Sequence, residues 1–478
     1  MNAREKVLLV VVALLVRLLV GWAATGHGEM EGLAYRYEQD AYAVLAGYGF
    51  VRPAETAPPE VNLIALAERL DAQGLRISPE NAPQHTPEKW RPSGMHPPGY
   101  AYYLLAVYSL VGKEWLFPVA RVIQALVDAL ACLIVFGAAS RLAGTPAAKI
   151  AAWAYALFLP AGYIVTSRVA DSFMPILSVA AFAWWTRGLE GRQLQHFAIA
   201  GAIIGLANLL RPDFFLYPLF LGLVAIGALR GQRMRALTGS VVLGAAMLAV
   251  MLPWAIRNNA VYGEFRFTTT SAGATMLQTV AQFNNPYGLP VPDEGYAELA
   301  QKAGFDGIDD PGADRMFKRR WLEIALKDPL LLAKQAMQRL PMGIVPLYRW
   351  GYTNEYYLEG HSFYDYRHKE GLSAYQVLFH HPVEVLRAYW DRLLFGVLSF
   401  VLLLVSVYVV WIERHRLWAP AILFVPWVYM VVSHLPISMG ARLMVPIAFC
   451  QLIALGYLVT RFRGKATGVL APWLDKPS

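Results

Sequence analysis

The sequence predicts an all-α polytopic membrane protein with about ten transmembrane helices, roughly nine to twelve. Three observations predict it. Hydrophobic residues make up 56% of the 478-residue chain. They come in runs of about 15–22, long enough to cross a bilayer as helix. The breaks between runs are short and polar, and alternate breaks are rich in Lys and Arg.

The same observations exclude other classes. Lys and Arg number 42 against 34 Asp and Glu, but the basic residues sit in short loops between apolar runs. They do not gather on one polar domain, so no nucleic-acid partner is expected. Cys132 and Cys450 each lie inside an apolar run, which leaves neither a disulfide framework nor a CxxC metal pattern.

The apolar runs, in order, are 7–24, 118–140, 150–166, 173–186, 197–210, 214–229, 237–256, 393–412, 417–433 and 441–460. The first resembles a secretory signal in having a basic start, but it runs long and Arg17 interrupts it, so it reads as a span. Arg17 lies near mid-run and needs a partner; Asp128 in the second span is the expected one, as a structural ion pair. The segment 97–112, HPPGYAYYLLAVYSLVG from His96, is apolar enough to cross. Crossing would turn Arg141 and Lys149 outward, so it is placed as an interfacial helix on the outer surface with its Tyr residues near the headgroups.

Orientation follows from the basic loops. Arg4 and Lys6, Arg141 and Lys149, Arg187 and Arg192, Arg230 with Arg233 and Arg235, Arg414 and Arg416, and Arg461, Arg463 and Lys465 share one side if the N-terminus is cytoplasmic. Both termini are then inside a cytoplasmic (inner) membrane. The long polar segments 25–96 and 257–391 are outside, the second with helix-like stretches such as 321–332. The expected organisation is a membrane catalytic module over 1–256 that includes the outer loop 25–117. An outer region with juxtamembrane helices covers 257–391, and C-terminal spans with a short cytoplasmic tail cover 392–478.

Ionisable groups at a membrane boundary are expensive unless paired or used, and here they are one-sided. Asp40, Arg121, Arg168, Asp171, Arg211, Asp213, Arg257, His434 and Arg442 all fall at outer ends of spans or in outer loops. Guanidiniums match phosphate oxygens in charge and geometry, and a carboxylate can take a proton from an acceptor. That set suits transfer from a phosphate-linked lipid; taken singly, each Arg reads equally as a snorkel to headgroups. His96 reads as a helix-start polar residue or as a phosphate or metal contact. Tyr35, Tyr37, Tyr42, Tyr48, Trp90 and Tyr100 crowd the first outer loop, where core and interfacial belt are the expected roles and stacking on sugar rings the alternative.

Several motifs in order carry a resemblance: QDAYAVLAGYGF around Asp40, HPPGY at 96–100, ARVIQALVDALACLIVFGAASRLAG from Ala120, SRVADSF at 167–173, GLANLLRPD ending at Asp213, PWAIRNNAVYGEF at 253–265 and ARLMVPIAF near the C-terminal end. Over most of its length the chain resembles the polytopic GT-C glycosyltransferases of the protein-mannosyltransferase and aminoarabinose-transferase type (glycosyltransferase family 39). These use polyprenyl-phosphate sugars as donors. The resemblance implies that Asp40 is the catalytic carboxylate of an inverting transfer and that Asp171 is a second acid. It places Arg168, Arg211, Arg257, Arg442 and His96 where donor-phosphate contacts are expected. Ala41 stands where relatives commonly place another acid, and Asp171 where Glu is usual. A divalent cation therefore stays open as a cofactor, with fewer clustered carboxylates than such a site wants. The chain ends about eighteen residues after its last span, which favours transfer of one sugar over a whole oligosaccharide. The acceptor is a protein, a lipid or a polysaccharide, and membrane lipids are the remaining partners. A transporter or flippase of a lipid-linked saccharide is the second reading; it needs polar groups at mid-membrane depth, whereas these gather at one face.

Overall fold

The apolar runs fold as helices in the computed structural model, which describes residues 1–24, 31–53, 62–86, 88, 90–191, 193–281, 285–290, 293–346, 376, 380, 382–437, 441–464 and 470–475. Arg192 and Lys465 lie outside the described residues. The structure is 79% helical. The helices that carry the apolar runs are α1 (Ala3–Ala24), α4 (Gly99–Ala156), α5 (Leu159–Val165), α6 (Met174–Gly191), α7 (Leu194–Leu210), α8 (Tyr217–Ala228), α9 (Arg233–Tyr262), α14 (Pro382–Ile412), α15 (Trp418–His434) and α17 (Phe449–Phe462). The segments expected outside form α2 (Glu31–Leu45), α3 (Leu63–Asp71), α10 (Ala272–Ala281), α11 (Asp293–Lys302), α12 (Pro311–Lys327) and α13 (Pro329–Ile344), and the short α16 (Ala441–Met444) precedes α17. The strands β1 (Val51–Pro53) and β2 (Trp90–Pro92) pair antiparallel, Arg52 opposite Arg91.

Among the described residues four helices are long and apolar enough to cross a membrane, 3–23, 99–156, 230–262 and 393–412, and four shorter apolar helices, 194–210, 212–228, 418–434 and 449–462, accompany them. The α4 helix is the central post, packed against α1, α6 and α17, while α7 joins α6 to α9 and α8 joins α9 to α15. Close approach rests on small residues. A Cβ at Gly456 would run into the Ala147 carbonyl.

Glycine and charge decide where α4 bends and stops. Gly112 has φ 80°, a backbone that L side chains rarely adopt, and a Cβ there would also strike Asp71 and Arg76. The stretch 99–111 is thus a separate limb leading into the rest of α4. Its Tyr108 hydroxyl accepts from the Ile77 amide at 3.2 Å, and its ring meets Tyr42 edge-on at 4.8 Å.

The expected single span 150–166 is instead broken between Ala156 and Leu159. Arg17 seals the break. Its guanidinium donates to the Ala156 carbonyl at 2.5 Å and the Tyr155 carbonyl at 3.0 Å, satisfying carbonyls that a helix end leaves orphaned. The same Arg17 pairs with Asp128 at 2.9 Å, as expected, and the Tyr155 hydroxyl donates to the other Asp128 oxygen at 2.8 Å. Arg17 and Asp128 are both 0% exposed.

The helix expected at 321–332 is likewise two helices. Asp328 caps α13 by accepting from the Leu331 amide at 3.1 Å, with Pro329 at the first helical position, so α12 must end before it. The α9 helix carries on past residue 256 to Tyr262, which puts Arg257 on a helix. A second apolar cluster, including Leu277, Val280, Tyr296, Ala300, Phe317 and Ile324, gives the outer region a core of its own.

Candidate active site

Residues on one face of a helix recur every three or four positions, and α2 uses this spacing to turn Tyr37 and Asp40 inward. Both are buried. Tyr37 is the hub. Its ring lies 4.8 Å from His96 and 5.0 Å from Tyr100. Burial first, and then the charge of Asp171, raise its hydroxyl's pKa, while Arg211 and Arg442 act in the opposite sense and Asp40 adds to the rise. Asp40, His96, Asp171, Arg211 and Arg442, all expected in the site from sequence, therefore converge around one tyrosine. Neither Tyr37 nor Tyr100 lies in an outer belt; both are core, as are Tyr42 and Trp90.

Asp171 and Arg211 form an ion pair, and Arg211 also pairs with Asp213 at 2.6 Å. His434 stands 3.6 Å from Asp213, and Tyr429 donates to the Asp213 carbonyl at 2.6 Å. The RPD turn between α7 and α8 makes this possible, because the chain leaves the helix at Arg211 in extended backbone and Pro212 starts the next short turn. His96 is held neutral. Burial, then Arg36 and Arg211, pushes its pKa down to about 3. Its Nε2 is buried with no hydrogen-bond partner among the described residues.

Arg257 approaches Asp40 from α9. It donates to the Phe50 carbonyl at 2.7 Å and to Asn258 at 3.0 Å, and its guanidinium lies over Trp254 at 4.9 Å and Tyr262 at 5.5 Å. Asp40 itself is lifted to about 7, above all by burial. Asp309 reinforces the rise, whereas a hydrogen bond from Ser93 and the charges of Arg257 and Arg52 oppose it. A carboxylate so held is half-ionised near neutral pH and is a stronger base than an exposed aspartate.

Arg168 stands apart from the hub. It lies over the Phe117 ring at 4.3 Å, with Lys113 near the same ring at 5.5 Å and the like charge of Arg121 close by. It still acts on Tyr100, the next ring along from Tyr37. Lys113 pairs with Glu38, which also accepts from Tyr42 at 2.7 Å. Lys113 was not expected in the site; its signal is a lone cation where the 99–111 limb meets the span.

The second unexpected residue is Asp309, 3% exposed and paired with Arg52 at 2.5 Å. Its signal in the sequence is the doubled acid before Pro311. Asp310 is consumed as the cap of α12, accepting from the Gly312 amide at 2.6 Å and the Ala313 amide at 3.3 Å. Asp309 is left over. Among the described residues no group of three or more His, Cys, Asp or Glu side chains is placed to hold a metal ion. The pair Asp40 and Asp309 falls short of the ligand count a divalent cation takes from a protein cage.

Part of this chain matches a known family model, and its fold is similar to solved glycosyltransferase structures. Residues 95–256, about a third of the chain, match the family model described as dolichyl-phosphate-mannose-protein mannosyltransferase. Among solved structures, the oligosaccharyltransferase of Archaeoglobus fulgidus in the apo form is 15% identical at TM-score 0.52, covering 96% of this chain and 50% of that one. The archaeal oligosaccharyltransferase AglB from the same organism, in complex with an inhibitory peptide and a dolichol-phosphate, is 15% identical at TM-score 0.51, covering 99% and 52%. A complex of the A. fulgidus enzyme with Zn and sulfate is 14% identical at TM-score 0.50, covering 97% and 50%. The chain spans about half the length of these structures. A comparison with curated proteins finds no match.

Proposed function

We propose that the chain is a membrane glycosyltransferase that moves a sugar from a polyprenyl-phosphate donor to an acceptor on the outer face of the cytoplasmic membrane, with inversion and with Asp40 as general base. The observation that carries this reading is the buried Asp40 carboxylate, kept basic, within electrostatic reach of Arg257 and one ring from the Arg211 cluster. In the reaction, the acceptor's O–H or N–H attacks the anomeric carbon and its proton passes to Asp40. The bond from that carbon to phosphate oxygen breaks, and the electron pair leaves with the phosphate. Guanidiniums stabilise that leaving charge in a low-dielectric setting. Arg257, Arg442 and Arg168 are assigned to the phosphate, with neutral His96 as a hydrogen-bond donor. Arg211 is already balanced by Asp171 and Asp213, so its part is to shape the site, and Asp171 serves as its counter-ion rather than as a second base.

The carrier reading asks for polar groups in use at mid-membrane depth. The deepest ion pair among the described residues, Arg17 with Asp128, is closed on itself and on two carbonyls. The transferase reading is tested by incubating purified protein with a labelled polyprenyl-phosphate sugar and a panel of acceptors, water included, beside Asp40→Asn. Transfer or slow donor hydrolysis lost in the variant supports it. Donor binding without turnover in either protein would replace it with the carrier.

A further inference from the structure

Two arginines sit directly opposite each other on the β1–β2 ribbon, Arg52 and Arg91. Both reach the same loop, 303–310, where Arg91 pairs with Asp306 and Arg52 with Asp309. The ribbon is tied in turn to the Asp40 neighbourhood: the Ser93 amide donates to the Phe50 carbonyl at 2.9 Å, and Ser93 bonds the Asp40 carboxylate. One short ribbon thus fixes Asp40 and Asp309, more than 250 residues apart in sequence, within reach of each other's charge.

Asp309 is only partly satisfied. Its Oδ1 meets the Arg52 guanidinium at 2.5 Å and its own backbone amide helps to hold its charge, yet both oxygens are buried and no other side chain among the described residues donates to them. An ionised carboxylate has room for about four donors, and a buried one left without them is costly. Asp310 shows the contrast next door, since its oxygen is taken up by two helix amides. The charge of Asp309 is felt at Asp40.

We propose that Asp309 orients the acceptor: its carboxylate takes a hydrogen bond from a polar O–H or N–H of the acceptor beside the atom whose proton goes to Asp40. The inference rests on the transferase reading. A second consequence follows from its charge, which favours the protonated form of Asp40 and so keeps that base strong. The charged and titratable groups facing Asp40 are Asp309 on the loop, Arg52 on β1, Arg257 on α9 and Tyr37 on α2, with Ser93 as hydrogen-bond donor.

The test uses the full-length protein and the near-isosteric Asp309→Asn, with Asp309→Ala as a second variant. Expected in Asp309→Asn is a rise of about tenfold in KM for the acceptor, with donor KM unchanged, as for one lost hydrogen bond to a charged group. The acid limb of kcat/KM against pH should move down by about half a unit or more, because the like charge is gone. The Asp40 titration is also read without turnover, by infrared difference against Asp40→Asn. A lower melting temperature with acceptor KM and Asp40 titration both unmoved, in either variant, would overturn the proposal and leave Asp309 as a loop tether. Absence of donor turnover in the wild type would count against the transferase reading and, with it, the acceptor role; the infrared titration would still decide whether Asp309 sets the charge state of Asp40.

Discussion

Two buried ionic clusters divide the labour in this protein. Deep in the bundle, Arg17, Asp128 and Tyr155 form a closed set: one cation, one anion, one hydroxyl, and two backbone carbonyls that take the remaining guanidinium donors. In the second cluster Asp40, Asp309 and Tyr37 are buried while Arg52 is 29% exposed and Arg257 half-buried, and the set is not closed. Asp309 and His96 keep buried polar atoms without hydrogen-bond partners among the described residues, and Asp40 is lifted to about 7. Burial of charge alone therefore does not mark a functional site. What separates the two clusters is whether the polar groups are satisfied by the protein itself.

That comparison can be broken by exchange. The largest expected effect is on chemistry at the open cluster. Asp40→Asn should reduce transfer by about 10²–10⁴-fold, the usual worth of a positioned base, with insertion and melting unchanged; wild-type turnover in the variant would remove Asp40 from the role. At the closed cluster the effect should fall on stability. Asp128→Ala leaves Arg17 buried without its anion and should destabilise by about 3–5 kcal/mol, read by thermal melting in detergent. An Asp128 variant with normal stability and lost transfer would reverse the assignment of the two clusters.

Smaller effects sharpen the contrast within the outer face. Arg257→Lys keeps a positive charge but loses the planar fork and the stacking over Trp254 and Tyr262. Donor affinity should weaken by about tenfold with little change in melting; an unchanged affinity would return Arg257 to an interfacial anchor. The mildest is the pH response of the wild type. Asp40 must be ionised to accept a proton, and its pKa is raised, so transfer should climb as pH rises through about 7. A limb near 4, the ordinary aspartate range, would mean that the carboxylate is hydrated during the reaction.

Much of this was legible without coordinates, because hydrophobic run length and the one-sided placement of charge are properties of the chain itself. Both members of the Arg17 and Asp128 pair were named from the cost of charge at mid-membrane depth. The sequence groups Asp40, Asp171, Arg168, Arg211, Arg257, Arg442 and His96; five of them lie around Tyr37, Arg257 acts on Asp40, and Arg168 stands apart. Other features were hidden for identifiable reasons. The break of the expected span 150–166 is marked locally by Pro160, but its sealing by a guanidinium from α1, some 140 residues away, is recorded by no local pattern. Arg211 reads from sequence as a donor-phosphate contact, because its neutralisation by Asp171 needs another loop. Asp309 carries no sequence reading of its own beside Asp310 and Pro311.

The sequence by itself determined that this protein is an all-helical membrane chain, where its runs lie, and which charges gather toward one face. These follow from transfer of apolar residues out of water, which is additive along the chain. Only the tertiary structure decided which charges are spent on each other and which are left unsatisfied. That outcome depends on distances between residues remote in sequence and on the low dielectric that packing creates around them, and neither exists until the helices have assembled.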